Sequence, residues 1–167
     1  MLYSTELRLK VTKTTVTVDV TGRHILSLFL RLIQNVNPIL SEELHGDSNI
    51  KPFTLSLLLP FRGRRKATLR EGDVISFRIT TLDEKVFATL ADAVWRLSPD
   101  DNLKLGDLYA KCNSLATTPA QSKWAIFTTF EQIMKDASKE TSLHLEFLSP
   151  TTFRSSGRGE RNILANS

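Results

Sequence analysis

The spacing of apolar residues changes several times along this chain, and the order of those changes restricts the folds that it can adopt. Residues 7–11 alternate apolar and charged side chains, the pattern of a strand with one buried face. From Thr21, which can cap a helix, apolar residues recur every three or four positions until Pro38 interrupts them. A short second helix over 39–44 then precedes residues 53–59, which are apolar on both faces and suit a central strand.

The same alternation of periods continues in the second half of the chain. Residues 74–80 alternate as a strand that forms a hairpin with the preceding one. Asp83 can cap a helix that ends near Pro99, and residues 105–115 supply a fourth strand. The order strand, helix, strand, strand, helix, strand predicts an α+β domain of the ferredoxin-like (RRM-like) βαββαβ type. The predicted buried stripe of the second long helix is Val86, Phe87, Leu90, Val94 and Trp95.

The last third of the chain predicts a further helix and the beginning of a second domain. Ser122 can cap a linker helix, residues 143–147 alternate as a new strand, and the tail from Arg154 is polar and predicted to lack fixed structure. We therefore predict a ferredoxin-like domain at 1–118, and at 119–167 a linker helix with the first strand of a truncated second ferredoxin-like domain. The apolar residues of the predicted linker helix are Trp124, Phe127, Phe130, Ile133 and Met134.

Composition restricts the partners and the compartment. The formal net charge is +4, from 22 Lys and Arg against 18 Asp and Glu, which favours an anionic partner. Cys112 is the sole cysteine, so the chain has no internal disulfide and no Cys/His cluster with zinc spacing. No apolar run approaches the ~20 residues of a membrane span, and the alternating N-terminal strand differs from a signal peptide. These features predict a cytoplasmic protein that needs neither a membrane nor a metal.

His45 and Lys51 bracket a polar loop between the short helix and the strand that follows it. An imidazole exchanges protons near neutral pH and an ammonium carries a fixed positive charge, so the pair suits proton transfer combined with charge stabilisation. A histidine at the end of a helix also interacts favourably with the helix dipole. The pattern alone therefore leaves both a catalytic and a structural role open for His45.

Three stretches of the chain together resemble one known family. They are Thr21-Gly22-Arg23-His24, the stretch from Leu44 to Ser56, and Phe147-Leu148-Ser149-Pro150-Thr151-Thr152-Phe153-Arg154. A histidine followed by a Lys-Pro-Phe-Thr strand, with a later Pro-Thr-x-Phe motif, is similar to the CRISPR repeat-processing endoribonucleases of the Cas-six type. The matching segments cover about 21–58 and 145–157, and the region between them agrees in the order of its elements.

The resemblance implies a metal-independent endoribonuclease, without a cofactor, that cleaves CRISPR precursor RNA within its repeats and gives mature guide RNAs. In that chemistry the ribose 2′-hydroxyl attacks the adjacent phosphate. It implies that His45 transfers a proton and that Lys51 stabilises charge on the phosphoryl oxygens. His24 would be the second acid or base, where some relatives carry a tyrosine. Which histidine is the base stays open, as does the alternative that His24 is merely an exposed first-turn residue. For residues 15–20 the resemblance favours an extended approach to the helix over a short strand.

The partner that the resemblance implies is CRISPR repeat RNA. Other CRISPR effector-complex proteins and a second copy of the chain, as a homodimer, are further partners that it allows. Basic side chains around the predicted hairpin tip would bind phosphates, although such a tip is equally typical of a solvated loop. The predicted RNA-binding residues are Arg23, Arg62, Arg64, Arg65, Lys66, Arg70, Arg154 and Arg158.

The chain departs from this family at its C-terminal end. Members carry two ferredoxin-like domains and a glycine-rich loop that helps to hold RNA, whereas Gly157 and Gly159 do not make such a loop. We therefore expect a fragment of a longer protein or, failing that, a reduced member. The alternative function is a non-catalytic subunit that holds repeat RNA in an effector complex, and a third is a protein-interaction module. Residues 74–79 lack the aromatic pattern with which RRM sheets stack bases.

Overall fold

The computed structural model describes residues 1–46, 51–59, 66–137, 142, 151–154 and 160–163. They fall into two compact units, Met1–Asp136 and Ala137–Ser167. No helix within these ranges is long and apolar enough to cross a membrane. The strands are β1 Leu2–Val11, β2 Thr15–Asp19, β3 Phe53–Leu59, β4 Lys66–Leu69, β5 Val74–Thr81, β6 Leu103–Leu105, β7 Leu108–Ala116, β8 Ile126–Thr128, β9 Thr151–Arg154 and β10 Glu160–Ile163. The helices are α1 Gly22–Val36, α2 Pro38–His45, α3 Glu84–Trp95 and α4 Phe130–Asp136.

The main sheet of the first unit has β1 at its centre. β5 and β7 flank β1, β3 lies outside β5, and β6 lies outside β7, with every neighbouring pair antiparallel. The short strand β8 pairs with the first residues of β1, Leu2 to Ser4. Because α1 connects β1 to β3 and α3 connects β5 to β7, the sheet consists of two interleaved split βαβ units. The predicted ferredoxin-like fold is confirmed.

The helices cover one face of this sheet. Leu7 and Leu9 of β1 lie opposite Phe77 and Ile75 of β5, and all four side chains are buried. Phe29 of α1 packs on the first residue of β3, with 4.7 Å between the ring centroids. These contacts fix α1 against the sheet, as its predicted apolar face requires. The buried residues are Ile25, Leu28, Phe29, Leu32 and Ile33 on α1, and Val86, Thr89, Leu90 and Ala93 on α3.

Trp95 does not belong to the buried stripe that was predicted for α3. Its side chain is 88% exposed, whereas Val86 and Leu90 are fully buried. Trp95 follows Val86 by nine positions, which at about 100° per residue places it on the opposite side of the helix. Phe87 lies at the edge of the stripe and stacks on Tyr3, with 3.8 Å between the ring centroids. The prediction therefore extended the apolar face one residue too far.

Residues 15–19 form a strand and not the extended approach that the family resemblance favoured. This strand, β2, pairs with β4 in a separate two-stranded sheet. Since β4 lies in the connection between β3 and β5, those two strands are not joined by a simple hairpin. Residues 62–65 of the predicted basic tip lie outside the described residues, and Lys66 begins β4.

The single strand predicted at 105–115 is in fact part of a hairpin. β6 and β7 are joined by Gly106 and Asp107, and Leu105 pairs with Leu108 across the turn. Gly106 has a φ of +59°, a left-handed conformation that glycine adopts without a steric penalty. The alternation shifts by one residue at the turn, from Leu103 and Leu105 to Leu108 and Ala110, so this shift and the Gly-Asp pair were the local signals of the reversal.

The linker helix predicted from Ser122 begins later than expected. Residues 126–128 pair with β1 as β8, and α4 starts at Phe130. Ser122 is buried, and its hydroxyl accepts a hydrogen bond from the Trp124 backbone. The hydroxyl of Ser4 on β1 donates to the Trp124 carbonyl. These polar contacts to the sheet replace the hydrogen bonds that a helix would have made here.

The second unit is described only at two strands. β9 and β10 are antiparallel, with Arg154 opposite Glu160. The tail beyond Arg154 was predicted to lack fixed structure, and β10 shows that this was wrong for residues 160–163. The strand predicted at 143–147 lies outside the described residues, and the assignment of 119–167 to a linker helix and the start of a truncated second ferredoxin-like domain stays a prediction.

Glu6 is a buried carboxylate on the face of the main sheet that the helices leave open. It is 5% exposed, and the Arg8 guanidinium donates to it at 2.7 Å. Burial opposes its charged form, but hydrogen bonds from Arg8 and Ser122 outweigh that cost and hold the pKa of the Glu6 carboxyl below its ordinary value. The Arg8 guanidinium also donates to the Gln121 carbonyl at 3.1 Å, so this ion pair attaches the segment that crosses the face to the sheet.

We expect Glu6→Gln to lower the free energy of unfolding at neutral pH by about 1–3 kcal/mol, because Arg8 loses its ionic partner. The pKa of Glu6 is lower in the folded state, so its stabilisation is complete above the unfolded-state value near 4.5 and is lost as the pH falls through the folded-state pKa. Urea unfolding of both proteins across this pH range measures the effect. The two stabilities should converge in acid, and a difference that stays constant with pH would contradict an ionic role.

Candidate active site

Asn37 connects the first two helices and determines where α2 begins. Its side-chain oxygen accepts a hydrogen bond from the Leu40 backbone at 3.0 Å, as an N-cap residue does. The Ser41 hydroxyl donates to the Leu30 carbonyl at 3.0 Å and attaches α2 to α1. Leu40 and Leu44 are buried, so one face of this short helix is anchored in the core. The C-terminal end of α2 therefore has a fixed position beside α1.

His45 is the last residue of α2, and Lys51 binds the backbone around it. The Lys51 ammonium donates to the Leu44 carbonyl at 2.9 Å and also to the Gly46 carbonyl. These carbonyls stand on either side of His45, at a helix end where carbonyl groups lack helical partners and attract positive charge. An ammonium has three donors, and these contacts to described residues use two of them. The structure brings together the two residues that the sequence paired.

A cavity of about 310 Å³ opens beside His45 and Lys51. It is also lined by Gly22 in the first turn of α1 and by Leu26 on the same helix. Thr54 of β3 is also in the lining, while most of the remaining lining residues are apolar. A cavity with few polar groups at defined positions is the usual form of a ligand site. The imidazole and the ammonium supply the charge-bearing chemistry in this one.

A second cavity, of about 490 Å³, shares His45 with the first and is more polar. It contains Arg23, which the sequence predicted, together with residues of α1 that sequence reasoning missed. The signal that could have identified them is their spacing. Every third or fourth residue of a helix lies on the same face, and the polar α1 residues of this cavity follow that spacing: Arg23, Ser27, Arg31 and Gln34. The guanidinium of Arg31 also donates to the Lys104 carbonyl of β6. The polar and charged residues of this cavity are Arg23, Ser27, Arg31, Gln34, Ser41, Glu42 and His45.

His24 lies in the first turn of α1 but is not among the described residues that line either cavity. Thr21 is the N-cap of α1, as predicted, and its backbone N–H donates to Nδ1 of His24 at 3.3 Å. The imidazole rests on the turn between β6 and β7, next to the position that a side chain on Gly106 would occupy. His24 is thus two residues beyond Gly22, which does line the first cavity, and faces a different element.

The predicted RNA-binding residues are spread over the chain. Arg70 is exposed in the turn between β4 and β5, where its backbone N–H donates to the Asp73 carboxylate at 2.7 Å. Lys66 and Arg154 lie on β4 and β9, in positions where only the backbone is described. The remaining ones, Arg62, Arg64, Arg65 and Arg158, lie outside the described residues. Across the described ranges, no three His, Cys, Asp or Glu side chains are grouped as a metal site.

Comparisons with known proteins agree on one family. The model of the CRISPR Cas6 N-terminal domain matches residues 1–135. A solved Cas6 product complex is 32% identical, with a TM-score of 0.75, over 98% of this chain and 59% of that chain. Thermus thermophilus Cas6 is 25% identical, with a TM-score of 0.63, over 96% and 53%. Another Cas6 product complex, 24% identical with a TM-score of 0.62, covers 94% and 56% and shows the shared fold. The chain thus spans little more than half the length of these structures, and no curated protein matches it significantly.

Proposed function

This chain belongs to the CRISPR Cas6 family, and from that premise we propose that the protein cuts CRISPR precursor RNA within its repeats, as a metal-independent endoribonuclease. One relative of this chain was solved as a product complex, which is the state of an enzyme after its reaction. The substrate proposed is the repeat RNA, and the products are mature guide RNAs.

The observation that carries this proposal is the pair of hydrogen bonds that the Lys51 ammonium donates to the carbonyls on either side of His45. Attack of a ribose 2′-hydroxyl on the adjacent phosphate needs a group that removes the hydroxyl proton and a group that protonates the leaving 5′-oxygen. It also places negative charge on the phosphoryl oxygens, which a fixed cation stabilises. The His45 imidazole supplies proton transfer, and the third donor of the Lys51 ammonium supplies the cation. Both line one cavity, so a single phosphate can contact them together.

The basic residues would hold RNA around this site. Arg23 lies in the second cavity, which shares His45, so RNA that leaves the first cavity along α1 would meet its guanidinium. Arg70 is exposed on a turn of the same unit and would contact phosphates further away. The other predicted RNA-binding residues, Arg62, Arg64, Arg65, Lys66, Arg154 and Arg158, remain part of this proposal on the basis of their charge.

A second candidate function is a subunit that holds repeat RNA without cutting it. The position of His24 favours this alternative, since the cavity that contains His45 and Lys51 holds one imidazole where the reaction uses an acid and a base. The two functions differ in a direct way. A binding subunit returns the repeat RNA intact, whereas the endoribonuclease cuts it at one linkage.

We expect cleavage of repeat RNA by the full-length protein to persist in excess EDTA, because the proposed chemistry uses an imidazole and an ammonium. Removal of the ribose 2′-oxygen at the cleaved linkage should abolish the reaction, since that oxygen is the nucleophile. Electrophoresis of end-labelled RNA measures both effects, and RNA with the 2′-deoxy substitution one nucleotide away is the matched control. Loss of activity in EDTA that added Mg²⁺ restores would refute the mechanism, and uncut RNA in every lane would favour the binding subunit.

A further inference from the structure

The imidazole of His24 rests on a glycine that has no room for a side chain. A methyl group added at Gly106 would stand 3.0 Å from Cε1 and 3.2 Å from both Nδ1 and Nε2 of His24. Carbon atoms of neighbouring groups normally stay further apart, so the ring or the turn would have to move. The Nδ1–Cε1–Nε2 side of the imidazole therefore packs directly against Gly106, and we call this contact surface on the β6–β7 turn the seat of His24.

The turn that forms this seat is held firmly in place. Leu105 and Leu108 flank Gly106 and Asp107, pair with each other and are buried in the core. The Arg31 guanidinium donates to the Lys104 carbonyl and connects β6 to the helix that carries His24. A side chain added at Gly106 would consequently move the half-buried imidazole and not the anchored turn.

A second contact defines which nitrogen of the ring carries the proton. Nδ1 of His24 accepts the hydrogen bond from the Thr21 N–H, so the neutral ring has its proton on Nε2. Seated in this way, His24 can donate a hydrogen bond from Nε2, while Nδ1 accepts the one from Thr21.

We propose that Gly106 is a positioning residue for His24, and that the seat on the β6–β7 turn directs the Nε2–H of His24 as a hydrogen-bond donor to the phosphoryl oxygens of the RNA, with no proton transferred from the ring. The role of His24 toward RNA rests on the proposed function, whereas the seat itself does not. Gly106 never touches the reacting atoms and acts only through the imidazole.

The first test reads the ring directly, in full-length protein. Long-range ¹H–¹⁵N NMR correlations of the imidazole should show His24 with its proton on Nε2, and Gly106→Ala should shift both nitrogen signals. Gly72 is the matched control, because it too has a positive φ, of +91°, but an added methyl group meets nothing within 4 Å. Gly72→Ala should leave the His24 signals unchanged. Gly106→Asn separates strain from contact, since asparagine tolerates the left-handed conformation but still carries a Cβ; it should shift the signals as alanine does.

The second test measures cleavage. Gly106→Ala should lower the single-turnover rate at saturating protein by about 10- to 100-fold, the usual cost of misplacing a reacting group, with RNA affinity unchanged. In a His24→Ala background the same substitution should have no further effect. If the His24 signals respond equally to the Gly106 and Gly72 variants, the proposed contact between His24 and Gly106 is refuted. An equal rate loss with and without His24 would overturn the positioning role. If the wild-type protein does not cut RNA, the proposed function fails, and the NMR result still decides the seat.

Discussion

Replacement of His45 by alanine in the full-length protein should lower the single-turnover rate of repeat-RNA cleavage by about 10²- to 10⁴-fold. RNA affinity should change little, because the imidazole moves a proton while the cations that attract phosphate remain. The rate is measured at saturating protein, the affinity by titration of labelled RNA, and the folded state by thermal unfolding.

Glu43→Ala is the matched control for this variant. Glu43 lies on the same helix, two residues before His45, and within the described part of the chain its one ion pair is a 4.0 Å contact with Lys85 in which both side chains are exposed. Such a pair contributes little to stability, so this variant should cut RNA at the wild-type rate. If His45 serves only the helix end, His45→Ala will lower the melting temperature modestly and leave the rate of the folded protein intact. A folded His45→Ala protein with a wild-type rate would remove His45 from the mechanism.

The second large effect is expected at Lys51, where one substitution removes two interactions. Lys51→Ala should slow cleavage by about 10²- to 10³-fold, the usual cost of losing a donor to developing negative charge. It should also lower the free energy of unfolding by about 0.5–1.5 kcal/mol, because the Leu44 and Gly46 carbonyls lose their donor. Rate and melting temperature should therefore fall together, in contrast to His45→Ala.

Two further substitutions divide the roles of Lys51. Lys51→Met keeps the apolar stem and removes the charge, so it should match alanine in rate. Lys51→Arg keeps the charge, but its planar guanidinium cannot reproduce the three donors of an ammonium, and an intermediate rate is expected. A methionine variant that is destabilised yet cuts at the wild-type rate would restrict Lys51 to capping α2.

The fold was predictable because its information is local. Apolar periodicity located α1, α3 and the four main strands, and the order of these elements determined the ferredoxin-like arrangement. Errors occurred where distant contacts decide the structure. The segment at Ser122 has the composition of a helix, but Ser4 and Arg8 on β1 supply it with hydrogen-bond partners from more than a hundred residues away. β2 depends in the same way on its pairing with β4.

The candidate site was predictable in its residue types more than in its geometry. A histidine and a lysine six positions apart indicated a pair, but the sequence does not contain the fact that Lys51 binds the carbonyls on both sides of His45. Likewise, the sequence placed His24 on the first turn of α1 without any sign of its contact with Gly106. That contact joins residues separated by most of the first unit, and only the packing of β6 and β7 against α1 creates it.

The central place of β1 has a consequence for how the protein is made. Phe77 and Leu115, which lie opposite Leu7 in the two neighbouring strands, follow it by about 70 and about 108 residues. A ribosome that adds roughly 5–20 residues per second needs about 5–20 s to deliver both partners. Throughout that interval the leucines of β1 have no sheet to join, in a strand whose unpaired edges could associate with other nascent chains. Charged side chains alternate with those leucines, at Glu6, Arg8 and Lys10. They keep charge on the strand until its partners have been synthesised, and charged side chains on an unpaired strand oppose such association.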